Sequence, residues 1–199
     1  AVVDMGTSGT NEIRPISLAT EPNIAVITNI GASHLERLQD LEGVYREKIN
    51  ITAGLQEGGL LIVNADDPHL SRVRSTKRYK VMTFGIRRGI LKPENLKFDE
   101  NACASFRIGR VEYHLNVPGI HNVYNALAAI AVGESLRIPK TEIAKALDAF
   151  AATGMRMEIR NAFGFRVVSD CYNANPSSTR MALQTIGNLS NANHRIAVL

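Results

Sequence analysis

The chain has 199 residues, 45% of them hydrophobic and 21% charged, with a formal net charge of +4. That length suits one sizeable core, or one domain with a piece of another, and no stretch approaches the roughly 18–20 apolar residues of a membrane span. The positive charge is scattered. Its densest stretch, Arg72 to Lys80, carries a single aromatic residue, so it reads as a solvated surface and argues against nucleic acid as a partner.

In chain order, the opening Ala1–Val3 is an apolar run interrupted by Asp4, too short for a signal peptide. The patterning predicts short, continuous apolar strands at Ala1–Val3, Ile24–Ile30, Leu60–Val63 and Lys80–Phe84, each leading into a helical pattern. Such runs predict an α/β fold, a mostly parallel sheet flanked by helices. In such sheets chemistry gathers at the carboxyl ends of strands, where Asp4, Asn29 and Asn64 are expected.

From Leu96 to Val117 the period changes to two. Val111, Tyr113, Leu115 and Val117 alternate with polar residues, and Gly109-Arg110 is placed to turn a hairpin. This predicts a small antiparallel addition to the sheet. Helices are predicted over Asn122–Leu136 and Pro139–Phe150.

Near Gly154 the pattern resets. Phe165–Ser169, Pro176–Leu189 and Ile196–Leu199 read as strand, helix and strand, the opening βαβ of a Rossmann-like second domain. The expected division is therefore 1–154 and 155–199. Because the first and last residues fall in apolar runs, the chain is expected to be a fragment of a longer protein. Cys103 and Cys171 form neither a metal spacing nor a disulfide framework, which fits a reducing cytoplasm.

Few residues carry a chemical signal by themselves. Gly6-Thr-Ser-Gly-Thr10 lacks the lysine and the spacing of a phosphate-binding loop, and reads as a turn. Asp66-Asp67-Pro68 reads as capping. His34 follows a strand end, and Lys48 comes fourteen residues later. On one unbroken helix they would stand about 21 Å apart, so sharing a site requires a break, for which Asp40-Leu-Glu-Gly43 is suited.

Longer motifs are more specific. Ile24-Ala-Val-Ile-Thr-Asn-Ile-Gly-Ala-Ser-His-Leu-Glu, then Leu41-Glu-Gly and Lys48, resembles the Mur ligase family. So do Asp4-Met-Gly with Glu12-Ile13, Asn64-Ala-Asp-Asp-Pro68, Pro118-Gly-Ile-His-Asn-Val-Tyr-Asn125 and Asp170-Cys-Tyr-Asn-Ala-Asn-Pro176. Together these cover nearly the whole chain in the family's order. Within the family the resemblance points to the branch that joins D-alanyl-D-alanine to UDP-N-acetylmuramoyl-tripeptide in peptidoglycan synthesis.

The resemblance implies an ATP-dependent amide ligase working through an acyl phosphate, with Mg2+, in a monomeric cytoplasmic parent. It makes Lys48 a carbamylated lysine and His34 a magnesium ligand. Asp4 stands where a metal-binding glutamate is usual, with turn capping as its other reading. Asn122, His121 and Asn125 would lie near the adenine, although Asn122 also suits a helix cap. Arg156 would contact phosphate, and Asp170, Tyr172, Asn173 and Asn175 would lie at the ribose and the peptide. The family's phosphate loop would precede residue 1 and most of its C-terminal domain would follow Leu199, so the chain alone is expected to be inactive. Two other readings remain at this level. One is a non-catalytic nucleotide-binding module of the same fold. The other is a sibling ligase such as a folylpolyglutamate synthase, against which the Tyr172–Pro176 segment argues.

Overall fold

The computed structural model describes residues 1–151, 154–189 and 194–198. They divide into two compact units, residues 1–92 with 127–132, and 93–126 with the described part of 133–199.

The first unit contains α1 (Ile13–Thr20), β1 (Ile24–Ile27), α2 (Leu35–Leu38), α3 (Leu41–Ile49), β2 (Gly59–Asn64) and β3 (Tyr79–Phe84). The strands run parallel in the order β1-β2-β3, with Ile24 opposite Leu60 and Val63 opposite Thr83. Leu61, Ile62 and Val63 of the middle strand are all fully buried, as a parallel strand covered on both faces should be. Ala25, Ile27, Leu38, Val44, Leu55, Leu61, Val63 and Leu70 form one apolar cluster. Each large member contributes roughly 1.5–3 kcal/mol by leaving water, which fixes the sheet on which the site is built.

Two strand expectations change. Ala1–Val3 takes no strand, and Val2 is fully exposed; with no ladder neighbour among the described residues, its backbone groups gain nothing from extension. β1 ends at Ile27 instead of Ile30, because the Ile30 amide turns to the Asp67 carboxylate at 2.8 Å.

The second unit contains β4 (Glu94–Phe98), β5 (Cys103–Ile108) and β6 (Val111–Pro118), an antiparallel sheet in that order. Gly109 turns β5 into β6 with φ +62°, the positive angle that tight hairpin turns demand. Phe106 stacks on Tyr113 with ring centroids 5.5 Å apart. Next come α4 (Ile120–Ser135), whose residues 127–132 belong to the first unit, and α5 (Lys140–Asp148). The unit ends in β7 (Glu158–Ala162), β8 (Phe165–Ser169) and α6 (Pro176–Asn188).

The predicted βαβ opening is only partly realised. The strand at Phe165–Ser169 and the following helix form, but β8 pairs antiparallel with β7, Ala162 opposite Phe165. Phe163 and Gly164 make a two-residue turn, both at positive φ (52° and 79°). Closing so short a loop costs little entropy, whereas a parallel partner must return through a long crossover. Residues 196–198 carry no strand, and Leu199, part of that expected strand, lies outside the described residues.

Candidate functional site

One centre lies in the first unit, at the carboxyl ends of β1 and β2. Gln39, at φ +69°, follows the last residue of α2, and the extended Asp40 restarts the helix by accepting the Gly43 amide at 2.7 Å. This is the break between His34 and Lys48 that a shared site requires. Gly43 is obligatory, since a Cβ there would fall 1.8 Å from the Leu38 carbonyl oxygen. The new helix, α3, brings Lys48 Nζ to the Asn29 carbonyl oxygen, to which it donates at 3.1 Å.

Asp67 organises the surrounding backbone. Its Oδ2 accepts the Ile30 amide at 2.8 Å, and its Oδ1 accepts those of His69 and Leu70 at 2.9 and 3.0 Å. Asn64 donates to the Thr28 carbonyl oxygen at 3.0 Å, closing the gap between the two strand ends. Asp66 accepts the amides of Ile86, Arg87 and Arg88. Both acids of the Asp66-Asp67 pair therefore serve the backbone. Burial pushes the Lys48 amine below its ordinary value, with the Asp67 charge working the other way.

The other expected metal residues are not drawn into this network. His34 precedes α2 at φ +52°, with its exposed imidazole Nδ1 4.0 Å from Glu36 Oε1. Asp4 is exposed, ahead of the Thr7–Gly9 turn. Among the described residues, no group of three or more His, Cys, Asp or Glu could hold a metal ion. The unmodified side chains Asp4, His34 and Lys48 thus do not make a magnesium cage by themselves.

The Gly6–Thr10 segment is built around an acid. Glu12 Oε2 accepts the Ser8 amide at 2.6 Å and the Thr7 hydroxyl at 3.2 Å. A carboxylate seated on these donors fits a turn and opposes a phosphate cradle.

Sequence reasoning missed Glu47. It is 3% exposed, and it accepts the amides of Asn11 at 2.6 Å and of Glu12 and Ile13 at 2.8 Å each. The sequence signal was negative: no acid lies in the first turn of α1, and the structure shows no side-chain cap at its start.

A separate centre lies in the second unit, where β6 meets α4. Asn122 Nδ2 donates to the Pro118 carbonyl oxygen at 2.8 Å and stands 3.2 Å from His121 Nε2. Asn125 Nδ2 donates to Asn122 Oδ1 at 3.1 Å. Where the Asn122 amide donates to Nε2, the neutral His121 ring carries its hydrogen on Nδ1, which is buried and has no partner among the described residues. Burial pushes this imidazole below its ordinary value, and Asp170 opposes that. Gly119, at φ +100°, makes room for the ring, since a Cβ would lie 2.5 Å from His121 Cε1.

In the same unit the Arg156 guanidinium lies over the Tyr172 ring, 4.2 Å from its centroid. Asp170 accepts the Met157 amide at 3.1 Å. Asn175 is occupied by α6, where its Oδ1 accepts the Ser178 amide at 2.9 Å. Pro176 follows at the first helical position, which suits its missing N–H. Asn173 is exposed.

Residues 1–133 match the model of the Mur ligase middle domain. The chain belongs to the Mur ligase family. The whole chain is 37% identical to the UDP-N-acetylmuramoyl-tripeptide–D-alanyl-D-alanine ligase of Bacillus subtilis (strain 168), covering 44% of that protein. Over 84% of the chain it is also 34% identical to the UDP-N-acetylmuramate–L-alanine ligase of Clostridium acetobutylicum, covering 38% of it. Among solved Mur ligases, the MurF of Acinetobacter baumannii superposes over 94% of this chain and 42% of its own, with a TM-score of 0.86 and 28% identity. The chain spans less than half the length of these Mur ligase relatives.

Proposed function

We propose that this chain is part of an ATP-dependent Mur ligase that joins D-alanyl-D-alanine to UDP-N-acetylmuramoyl-tripeptide. The observation that carries the reading is the Lys48 amine: half-buried, held at the end of β1 by the Asn29 carbonyl oxygen, and aligned by a helix restarted at Asp40. An amine whose charged form is disfavoured keeps a larger neutral fraction near neutral pH. Its lone pair can attack carbon dioxide, forming an N–C bond and releasing a proton to solvent. The product is a carbamate, an acid on a long arm.

In this proposal Asp4, His34 and the Lys48 carbamate are the magnesium ligands, the carbamate turning a cationic amine into an oxygen donor. His121, Asn122 and Asn125 form the adenine side of a nucleotide site. The His121 Nδ1, buried and without a partner among the described residues, supports a polar role for this corner. Arg156, stacked on Tyr172, presents a fork suited to phosphoryl oxygens. Asp170, Asn173 and Asn175 stand nearby in sequence for the ribose and the peptide. Bound ATP would supply the phosphoryl group that activates the peptide carboxylate. This chain's residues would position it and exclude water.

The two curated relatives differ in acceptor, so L-alanine addition to UDP-N-acetylmuramate is the second reading. The test uses the full-length parent enzyme and measures phosphate release with each donor–acceptor pair. Release only with the tripeptide precursor and D-alanyl-D-alanine supports the proposal. Release only with UDP-N-acetylmuramate and L-alanine replaces it. The Lys48 role is checked on this chain by 13C NMR in 13C-bicarbonate, where a carbamate signal absent from Lys48→Ala is expected.

A further inference from the structure

Helix α1 begins without a cap of its own. Glu12 occupies the N-cap position with helical backbone angles, its side chain is turned to Ser8 and Thr7, and the first turn carries no acid. The opening amides of a helix need acceptors and favour negative charge. Both needs are met from 34 to 36 residues away in sequence, by Glu47 of α3. Its two oxygens divide the work. Oε1 accepts the Glu12 and Ile13 amides, while Oε2 accepts that of Asn11 and stands 3.4 Å from Asn50 Nδ2. Asn11 holds a left-handed φ of +62°, a conformation that costs a non-glycine residue energy and persists where its surroundings impose it.

A second tie strengthens the pairing. Ser17 Oγ donates to the Ile51 carbonyl oxygen at 2.6 Å and accepts the Gly54 amide at 2.9 Å. Gly54 comes so close that a Cβ would sit 1.8 Å from the Ser17 carbonyl oxygen. Thus α1 is tied to α3 at its start, through Glu47, and to the segment that follows α3 from its middle, through Ser17. Glu47 and Lys48 are consecutive, so they point about 100° apart around α3, the first to α1 and the second to the end of β1. Gripping one neighbour sets the rotation of the other.

We infer that Glu47 is a positioning residue, a buried strut that locks α3 against the start of α1 and so holds the Lys48 amine on the Asn29 carbonyl oxygen. Its importance for catalysis rests on the Lys48 reading above; the strut itself does not.

The test is hydrogen exchange by NMR on the 199-residue chain, following the amides of residues 11–13 and the 15N-labelled Lys48 ammonium. Glu47→Gln is nearly isosteric, and its amide oxygen can keep the two bonds made by Oε1. Glu47→Asp keeps the charge but shortens the reach by one methylene, and serves if the first variant does not fold. In either variant, exchange of the Asn11 amide is expected to quicken by about tenfold, as for a lost buried hydrogen bond. The Lys48 ammonium should quicken by about threefold or more with it, a smaller loss because its own acceptor remains. Ser17→Ala cuts the other tie and should leave the Lys48 ammonium unchanged, which separates positioning from general loosening. A folded variant with faster amides and an unchanged Lys48 ammonium overturns the inference, reducing Glu47 to a cap. So does a Ser17→Ala variant that moves the ammonium equally. If no carbamate forms on Lys48 while its ammonium still answers to Glu47, the functional reading falls and the strut stands.

Discussion

The two centres are built on opposite plans. Around Lys48, nearly every polar side chain is spent on the main chain: Lys48 on Asn29, Asn64 on Thr28, Asp67 on Ile30, His69 and Leu70, and Glu47 on Asn11 to Ile13. Around His121, side chains lean on one another, Asn125 on Asn122 and Asn122 beside His121, and one buried ring nitrogen has no partner among the described residues; elsewhere in the same unit Arg156 lies over Tyr172. A centre anchored on backbone is as rigid as the sheet that carries it. A centre of mutually supporting side chains keeps donors available for a ligand. The first plan suits a group that must be held still and chemically altered, the second a ligand that comes and goes.

Four perturbations would break or sharpen this contrast. Glu47→Ala should cost most, about 3 kcal/mol in urea unfolding, because it leaves three amides at a helix start without their acceptor. A loss under about 1 kcal/mol, within the range of an ordinary neutral hydrogen bond, would mean that water replaces the carboxylate and the backbone anchoring is weaker than the distances suggest. Gly119→Ala should cost about 2 kcal/mol in thermal or urea unfolding, since it adds a clash with His121 to a left-handed backbone. An unchanged midpoint would show that the His121 ring moves aside freely.

Asp67→Asn should cost about 1–2 kcal/mol, keeping one acceptor oxygen but losing the charge. It also removes the carboxylate that favours the charged Lys48 amine. The carbamate signal at neutral pH should therefore rise relative to the unsubstituted chain, and a fall would show that Asp67 acts on Lys48 by position instead of charge.

The smallest effect concerns acid. Burial lowers the His121 imidazole below 6.5 in the folded chain, so as pH falls the unfolded chain takes up that proton first. Stability is thus lost as pH drops from 6.5 towards the folded value. Denaturant titrations from pH 7.5 to 5 should show a shallower loss in His121→Gln. Parallel curves would mean that the ring is wetter than its burial implies.

Much of the fold was legible because it rests on local pattern. The apolar run at Leu60–Val63 could only be a covered strand, the alternation from Val111 to Val117 placed β6, and Asn175-Pro176 announced the start of α6. The break at Asp40 could also be read, since an extended capping acid ahead of Gly43 has a local signature. Ala1–Val3 misled because an apolar run does not say whether a neighbouring strand exists. The βαβ expectation at Phe165 overlooked that Phe163-Gly164 allows a tighter, nearer partner.

The sequence by itself determined the family, the parallel strands β1 to β3, the hairpin at Gly109, and which residue types stand at the strand ends, since each of these is written in contiguous residues. Tertiary structure alone decided that Glu47 caps a helix 34 residues before it, that Asp67 pins the Ile30 backbone, and that Lys48 is half-buried against the Asn29 carbonyl oxygen. These are contacts between distant segments. Their strength depends on burial and on fractions of an ångström, and neither has a period or a spacing that one strand or one helix could display.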